Sequence, residues 1–274
     1  MNTRQLLSVA LALALGASVL SCQPMDSETT MPTGPAALSV EYGRPSTPPD
    51  AMPKFKGPAV PVGRGMAQTW ATLDPAGAPL AVGVTLSEGT LVNLPAETAS
   101  WVLRFHPKAA AAPFTHVLLD YNPQGHEPPG IYDLPHFDVH FYTVPVEERL
   151  LIQPNDPGFA VDPLPQYIPA AYMKVPGGVP QMGSHWVDLL SPEFNGGAFT
   201  QTYIWGTFDG EVTFFEPMVA KAYLESEPHQ TLALRQPQAY QRDGYYPMSY
   251  RIEKLENPAR YEIALEDLTF RPGQ

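Results

Sequence analysis

Short apolar runs alternate with proline and glycine over most of the chain after residue 62, a pattern typical of β-sandwiches and barrels. Nine strands are predicted, at residues 65–73, 80–86, 100–106, 115–121, 135–144, 200–208, 211–215, 249–255 and 260–265. Short helices are predicted at 146–152 and 217–225. The expected fold class is therefore mostly β: an antiparallel β-sandwich or barrel-like domain with a few short helices and long Pro/Gly-rich loops.

Turn residues mark two hairpins and one long loop. Asp209-Gly210 lies between two aromatic-rich runs and supplies the positive φ angles of a type I′ turn. Residues 256–258 separate two segments that alternate apolar with charged positions, which predicts a second hairpin. The stretch 155–183 is rich in proline and glycine, and its length predicts an ordered loop or flap that forms the wall of a site.

The first 21 residues have the order of a signal peptide: a short polar start with Arg4, then an apolar run over residues 6–20. This run is shorter than the roughly 20 residues that a helix needs to cross a membrane. It ends in Val-Leu-Ser-Cys22, which resembles the bacterial lipobox. The expectation is removal of residues 1–21 and attachment to a membrane through lipid on Cys22. Gln23 in place of Asp favours the outer membrane or cell surface over the inner membrane.

Composition divides the remainder into a tether, residues 22–62, and a single β-rich domain, residues 63–274. The tether is rich in proline, serine and threonine and has too few bulky apolar residues to fold alone. Cys22 is the only cysteine, so no internal disulfide can form. The net charge is −12 at pH 7, and loss of Arg4 makes it more negative, which argues against a nucleic-acid partner.

Five of the seven histidines lie between His106 and His140, and the segment 136–142 carries the clearest pattern. As a strand, it places alternate side chains on opposite faces. One face then holds His136, Asp138, His140 and Tyr142, and the other holds Phe137, Val139 and Phe141. The apolar set can pack in a core, whereas the ionisable set needs water, hydrogen-bond partners or a metal ion.

Spacing limits how such a strand can bind metal. His136 and His140 are about 13 Å apart at Cα on a strand, so a shared ion needs a bulge or ligands from elsewhere. The outside candidates are His126, His185 and Glu216. The predicted ligands are therefore His126, His136, His140, His185, Glu216 and Asp138, and the predicted cofactor is a divalent transition metal, with zinc as first choice. Two alternatives stay open: a hydrogen-bonded polar strand face, and Asp138 as a residue that orients a ligating histidine.

A family resemblance rests on the same segment. The run 126–142, together with the later Gly-Ser-His-Trp-Val-Asp and Phe-Phe-Glu-Pro-Met segments, resembles a bacterial domain of unknown function, number 5602, which has a His-x-Asp-x-His-Phe motif. That domain occurs in secreted proteins and lipoproteins, and the resemblance extends from Gly63 to the C-terminus. It implies a β-rich fold and a site at His136, Asp138 and His140 with His126. It implies no reaction.

Two functional hypotheses remain at this level. The first is a lipid-anchored envelope protein with a divalent-metal site; if a coordination position is open to water, Asp138 or Glu127 is the candidate catalytic base. Because the familiar catalytic motifs are missing, the sequence leaves open whether the protein is an enzyme.

The second hypothesis is a non-catalytic envelope binding or assembly module for a carbohydrate or protein ligand. Its support is a set of aromatic residues expected at the surface: Trp186, Trp205, Tyr245 and Tyr246. A homo-oligomer and a small-molecule ligand also stay open.

Overall fold

The computed structural model describes residues 52–109 and 113–274. The predicted signal peptide, the predicted lipid attachment at Cys22 and the tether up to residue 51 lie outside the described residues. The strands, in chain order, are β1 (Lys54–Lys56), β2 (Val60–Val62), β3 (Gly65–Leu73), β4 (Pro79–Ser87), β5 (Ala99–Arg104), β6 (His116–Asn122), β7 (His136–Tyr142), β8 (Tyr172–Lys174), β9 (Ser184–Asp188), β10 (Gln201–Phe208), β11 (Glu211–Ala220), β12 (His229–Ala233), β13 (Gly244–Tyr246), β14 (Ser249–Leu255), β15 (Arg260–Glu266) and β16 (Thr269–Arg271). The helices are α1 (Val146–Arg149) and α2 (Lys221–Glu225).

Two large antiparallel sheets account for most of these strands. The first, sheet A, has the order β1-β3-β4-β15-β14-β12, with β2 also paired to β3. The second, sheet B, has the order β5-β6-β7-β11-β10-β9-β8. Strands β13 and β16 form a small separate pair. The predicted fold class is confirmed as mostly β and antiparallel, and both large sheets are open, as in a β-sandwich.

The main hydrophobic core contains alternate residues of both sheets. Sheet A contributes, among others, Val84 and Ile263, and sheet B contributes Leu119, Val139 and Phe215. Each of these side chains is fully buried. The period of two along each strand therefore selects one face of each sheet for the core.

Sheet B is also covered on its other face. Loops and flanking strands bring Tyr132, Val187 and Phe199 into an apolar cluster with Ile204 and Met218 of β10 and β11. As a result, β6 and β7 are buried along their whole length. The polar residues of β6 and β7 on this second face, called here the covered face, therefore lie inside the protein.

The predicted helix at 217–225 is wrong in its first part. Strand β11 continues through Pro217 to Ala220, and α2 begins only at Lys221. The pairs Met218↔Asp138 and Val219↔Phe137 hold this end of β11 against β7. The proline lacks an N–H, so it disfavours a strand, yet tertiary pairing on both sides outweighs this local preference.

Other boundaries shift as well. Strands β1 and β2 pair with β3, so the sheet begins at Lys54, inside the segment predicted as tether. The helix predicted at 146–152 is shortened to α1. The type I′ turn is confirmed, since Asp209 and Gly210 have φ angles of 49° and 78° between the paired strands β10 and β11. The loop 155–183 contains 3-10 turns and β8.

Candidate metal centre

The predicted alternation along β7 is confirmed. Phe137, Val139 and Phe141 belong to the main core between the sheets. The other set, His136, Asp138, His140 and Tyr142, is only 0% to 4% exposed on the covered face. Burial of ionisable groups away from water is costly unless they are paired, protonated or bound to an ion. The neighbours of this set therefore decide its role.

A first group consists of His126, His136 and Asp138, whose ligand atoms all lie within 4.8 Å of one another. Nε2 of His126 lies 3.3 Å from Oδ2 of Asp138, and Nε2 of His136 lies 3.1 Å from Oδ1 of the same carboxylate. The loop before β7 delivers His126. Its Gly125 has a φ of 74° and packs so closely on the backbone at Tyr132 that a side chain would collide.

Backbone carbonyls set the orientation of both imidazoles in this group. Nδ1 of His126 lies 2.7 Å from the carbonyl oxygen of Glu127, and Nδ1 of His136 lies 2.6 Å from that of Leu134. A carbonyl only accepts hydrogen bonds, so each Nδ1 carries a hydrogen. The two Nε2 atoms then face the Asp138 carboxylate, and a cation, either a proton or a metal ion, must lie between. Histidines that bind metals are commonly held in this way.

A second group consists of His140, His185 and Glu216, contributed by β7, β9 and β11. Nε2 of His140 lies 3.4 Å from Oε1 of Glu216, and Nε2 of His185 lies 3.6 Å from Oε2. The carboxylate is fully buried between the two rings. These three residues are far apart in the sequence and meet because β11 and β10 lie between β7 and β9 in sheet B.

Asp120 is a site residue that the sequence reasoning missed. It lies on β6 directly opposite Asp138, and its Oδ2 is 3.2 Å from Nδ1 of His140. A carboxylate at this distance can hold the ring so that Nε2 points to the second group. Its neighbour Asn122 donates from Nδ2 to Oδ2 of Asp138 at 2.6 Å. The alternation of Asp120 and Asn122 within an apolar strand was the available signal.

The carboxylates of the covered face are under-satisfied. Several of their buried oxygens accept no hydrogen bond of good geometry from the described residues: both oxygens of Asp120, Oδ1 of Asp138 and Oε2 of Glu216. Ring nitrogens nevertheless lie 3.1 to 3.6 Å from three of them. Among the described residues, no lysine or arginine lines the cavity beside them. Orphaned buried acceptors of this kind require an explanation, and a bound ion is one that fits the ring nitrogens opposite.

The two groups perturb each other's protonation. Burial raises the pKa of Glu216 to about 8 although the His140 charge opposes this. Burial would lower the pKa of His140, but Glu216 and Asp120 outweigh it and raise that pKa to about 9. Burial and the charges of His140 and His126 lower the pKa of His185 to about 3. His185 is therefore neutral at pH 7 and can ligate without losing a proton.

The first group shows a similar balance. Burial would lower the pKa of His126, but its interactions with Asp138 outweigh this and raise it to about 9. Burial would raise the pKa of Asp138, but the imidazoles of His126 and His136 outweigh it, so this pKa lies well below its usual value. Without a metal, the first group therefore holds an ionised carboxylate beside a protonated His126 at pH 7.

Both groups open onto one cavity of about 550 Å³, lined by His126 and Asp138 from the first group and His140 and His185 from the second. The end of the Pro/Gly-rich loop, residues 175–182, forms one wall of this cavity, as predicted for a site wall. Glu127, a candidate base, is exposed and also lines it. The other candidate, Asp138, is already engaged by Asn122 and two histidines.

All six predicted ligands thus lie in the two groups, but not around one ion. His136 and His140 belong to different groups, because side chains four apart on a regular strand are held too far apart to converge. Each of them instead meets a histidine from a loop or another strand and a nearby carboxylate.

The aromatic surface expected for a binding module is not formed. Trp205 is buried in the main core, and Trp186, Tyr245 and Tyr246 pack against it as partly buried residues. Nε1 of Trp186 donates to Thr207 at 2.9 Å. These rings are therefore engaged in packing and do not present a stacking platform together.

Comparison with known proteins adds little beyond this geometry. Residues 74–121 match a family described as TTHB210-like, hypothetical protein TTHB210. The matched segment includes β5 and Asp120 but ends before His126 and β7. No curated protein and no solved structure matches the chain.

Within residues 52–109 and 113–274, no helix is long and apolar enough to span a membrane.

Proposed function

We propose that this protein is a lipid-anchored extracytoplasmic protein that binds two divalent transition-metal ions, with zinc as the first choice. One ion is held by His126, His136 and Asp138, and the other by His140, His185 and Glu216. The observation that carries the proposal is that buried carboxylates meet ring nitrogens at 3.1 to 3.6 Å in both groups, while no lysine or arginine of the described residues lines the cavity beside them. An ion in each group would satisfy those atoms together.

The donor set restricts the ion. Imidazole and carboxylate ligands without thiolate suit Zn, Mn, Fe, Ni and Cu. Two histidines and one carboxylate oxygen leave one coordination position free on a four-coordinate ion. When bound, an ion of this kind supplies Lewis acidity at the cavity. The chain's own part is to orient the rings through Glu127, Leu134 and Asp120 and to limit access of water through the loop 175–182.

Export and lipid attachment are supported by the sequence features of the leader alone. They are the polar start, the apolar run and the cysteine that follows Ser21. Labelling of bacterial cells with a radioactive fatty acid tests this part. Label is expected on the parent and absent from Cys22→Ser, and label that persists in the variant would refute lipid attachment at this residue.

Metal analysis tests the site. The protein, extracted in detergent and dialysed against buffer, is expected to contain two ions per chain. His136→Ala and His140→Ala should each lower the content by about one ion, because they belong to different groups. His229→Ala is the matched control, since its ring is largely exposed and lies on β12 of the other sheet. A metal-free parent, or unchanged content in both site variants, would contradict the proposal.

A further inference from the structure

The cavity over the two groups carries an inference that rests on the proposed metal binding. We infer that it binds a small uncharged organic molecule that has an apolar portion and reaches an ion through a neutral oxygen or nitrogen donor. Its volume of about 550 Å³ falls within the range of about 300–1,000 Å³ that small-molecule sites occupy.

The walls of the cavity can contact the apolar portion of such a ligand. Val175, Val179 and Met182 come from the loop over the groups, and Ile204 and Met218 come from the sheet below. The polar lining side chains include the histidines and carboxylates of the two groups. A ligand that fits both parts has a polar donor at one end and a hydrocarbon segment at the other.

The charge of the site argues against an anionic ligand. Among the described residues, no lysine or arginine lines the cavity, so phosphate or carboxylate groups would lack the side chains that usually bind them. Four carboxylates lie at the site, those of Asp120, Glu127, Asp138 and Glu216. Their formal charge of −4 equals that of two divalent ions in magnitude, so the loaded site is formally neutral and favours a neutral ligand.

A pair of neutral ligands that differ only in hydrocarbon length tests this inference. The protein is loaded with Co²⁺, whose visible absorption reports changes in coordination, and titrated with N-methylimidazole, N-hexylimidazole and inorganic phosphate. Burial of one methylene contributes about 0.8 kcal/mol, or about fourfold in affinity. N-hexylimidazole is therefore expected to bind at least about tenfold more tightly than N-methylimidazole, and phosphate is expected to leave the spectrum unchanged at millimolar concentration.

A cavity variant makes the test specific. Val179 is 41% exposed on the loop wall, so Val179→Asp should fold and retain cobalt. Its preference for N-hexylimidazole should fall to less than about threefold. Val161→Asp is the matched control, because Val161 is similarly exposed at 46% and does not line the cavity, and it should keep the preference.

The outcomes separate the two proposals. The ligand inference is wrong, and the metal site stands, if cobalt binds but the two imidazoles bind equally. The same conclusion follows if phosphate binds in preference to the imidazoles, or if Val179→Asp keeps the full preference for N-hexylimidazole. If the protein binds no cobalt, both fail.

Discussion

The outer faces of the two sheets both bury carboxylates, and they neutralise them differently. On sheet A, Arg251 forms ion pairs with Glu253, Glu262 and Glu266, the last at 2.7 Å. Lys54 adds a contact to Glu262 at 2.7 Å. On the covered face of sheet B, the partners of the carboxylates are histidines and one asparagine. Permanently charged side chains pair with the carboxylates of the first face, whereas none pairs with the carboxylates of the second among the described residues.

This difference separates structural charge from charge available to a ligand. A guanidinium remains protonated at any physiological pH and fixes its carboxylates in place. An imidazole can release its proton and accept a metal ion on the same nitrogen. A buried carboxylate next to arginine therefore indicates an ion-pair network, and one next to a pair of histidines indicates a candidate metal site. Four predictions test this contrast, from the largest expected effect to the smallest.

Arg251→Met should have the largest effect. The substitution removes the arginine from buried Glu253 and one of the cations around Glu262, and breaking a buried ion pair typically costs about 3–5 kcal/mol of the free energy of unfolding. Urea denaturation monitored by circular dichroism measures the change. Because sheet A takes no part in the metal groups, the variant should still contain two ions. Loss of metal in a folded variant would show that the two faces are not independent.

Metal removal should have the next largest effect per site, and its cause lies on sheet B. An ion present at 100 to 1,000 times its dissociation constant stabilises the folded state by about 3–4 kcal/mol. The melting temperature should fall on chelation and recover when zinc is restored. Double substitution of His136 and His140 by alanine should abolish this response, while His229→Ala should retain it. A melting temperature that chelation does not change would argue against bound metal in the parent.

Asp120→Asn should weaken the second ion without removing it. The side chain contacts Nδ1 of His140 and not the ligand positions, and loss of such an orienting carboxylate typically lowers metal affinity by 10- to 100-fold. Competition with a chromophoric chelator measures the affinity. Asp243→Asn serves as a control for removal of one negative charge, since Asp243 does not line this cavity. An equal loss of metal affinity in both variants would show that the change in net charge alone causes the effect.

The change in stability with pH should be the smallest effect per pH unit. In the metal-free protein, the folded-state pKa values of His126 and His140 are raised to about 9 and that of Glu216 to about 8. A group whose pKa is higher in the folded state than in the unfolded state binds its proton more tightly when the protein is folded. Its contribution to stability is complete at pH values below the unfolded pKa and is lost as the pH rises through the folded pKa. Chelated protein should therefore lose stability between pH 7 and 9, by up to about 1.4 kcal/mol per pH unit for each proton.

The stability of metal-loaded protein should instead be nearly independent of pH in this range, because the bound ions have already displaced these protons. The ion must displace protons from His126 and His140, so its apparent affinity should rise over the same pH range. Urea denaturation at a series of pH values, with zinc and with chelator, measures both curves. Parallel curves would indicate that metal and protons do not compete for these groups.

The sequence predicted the fold class well because the period of two along the strands is a local property. Strands β3 and β14 have the predicted bounds, and β7 shows the predicted division between core and polar residues. The turn at Asp209-Gly210 was also readable, since positive φ angles restrict residue type. In contrast, the end of β11 after Pro217 was not predictable, because the β7 residues that pair with residues 218–220 lie 80 to 84 residues earlier in the chain.

For the candidate site, the sequence by itself indicated which residues could take part in metal binding. The six candidate ligands, chosen from residue type, alternation and the family resemblance, all lie in the two groups. Only the tertiary structure decided how they are grouped: His126 reaches β7 through its loop, and His185 reaches Glu216 across sheet B. It also added Asp120, which pairs with Asp138 across β6 and β7. The physical reason is that a strand fixes the direction of each side chain, whereas strand order fixes its neighbours.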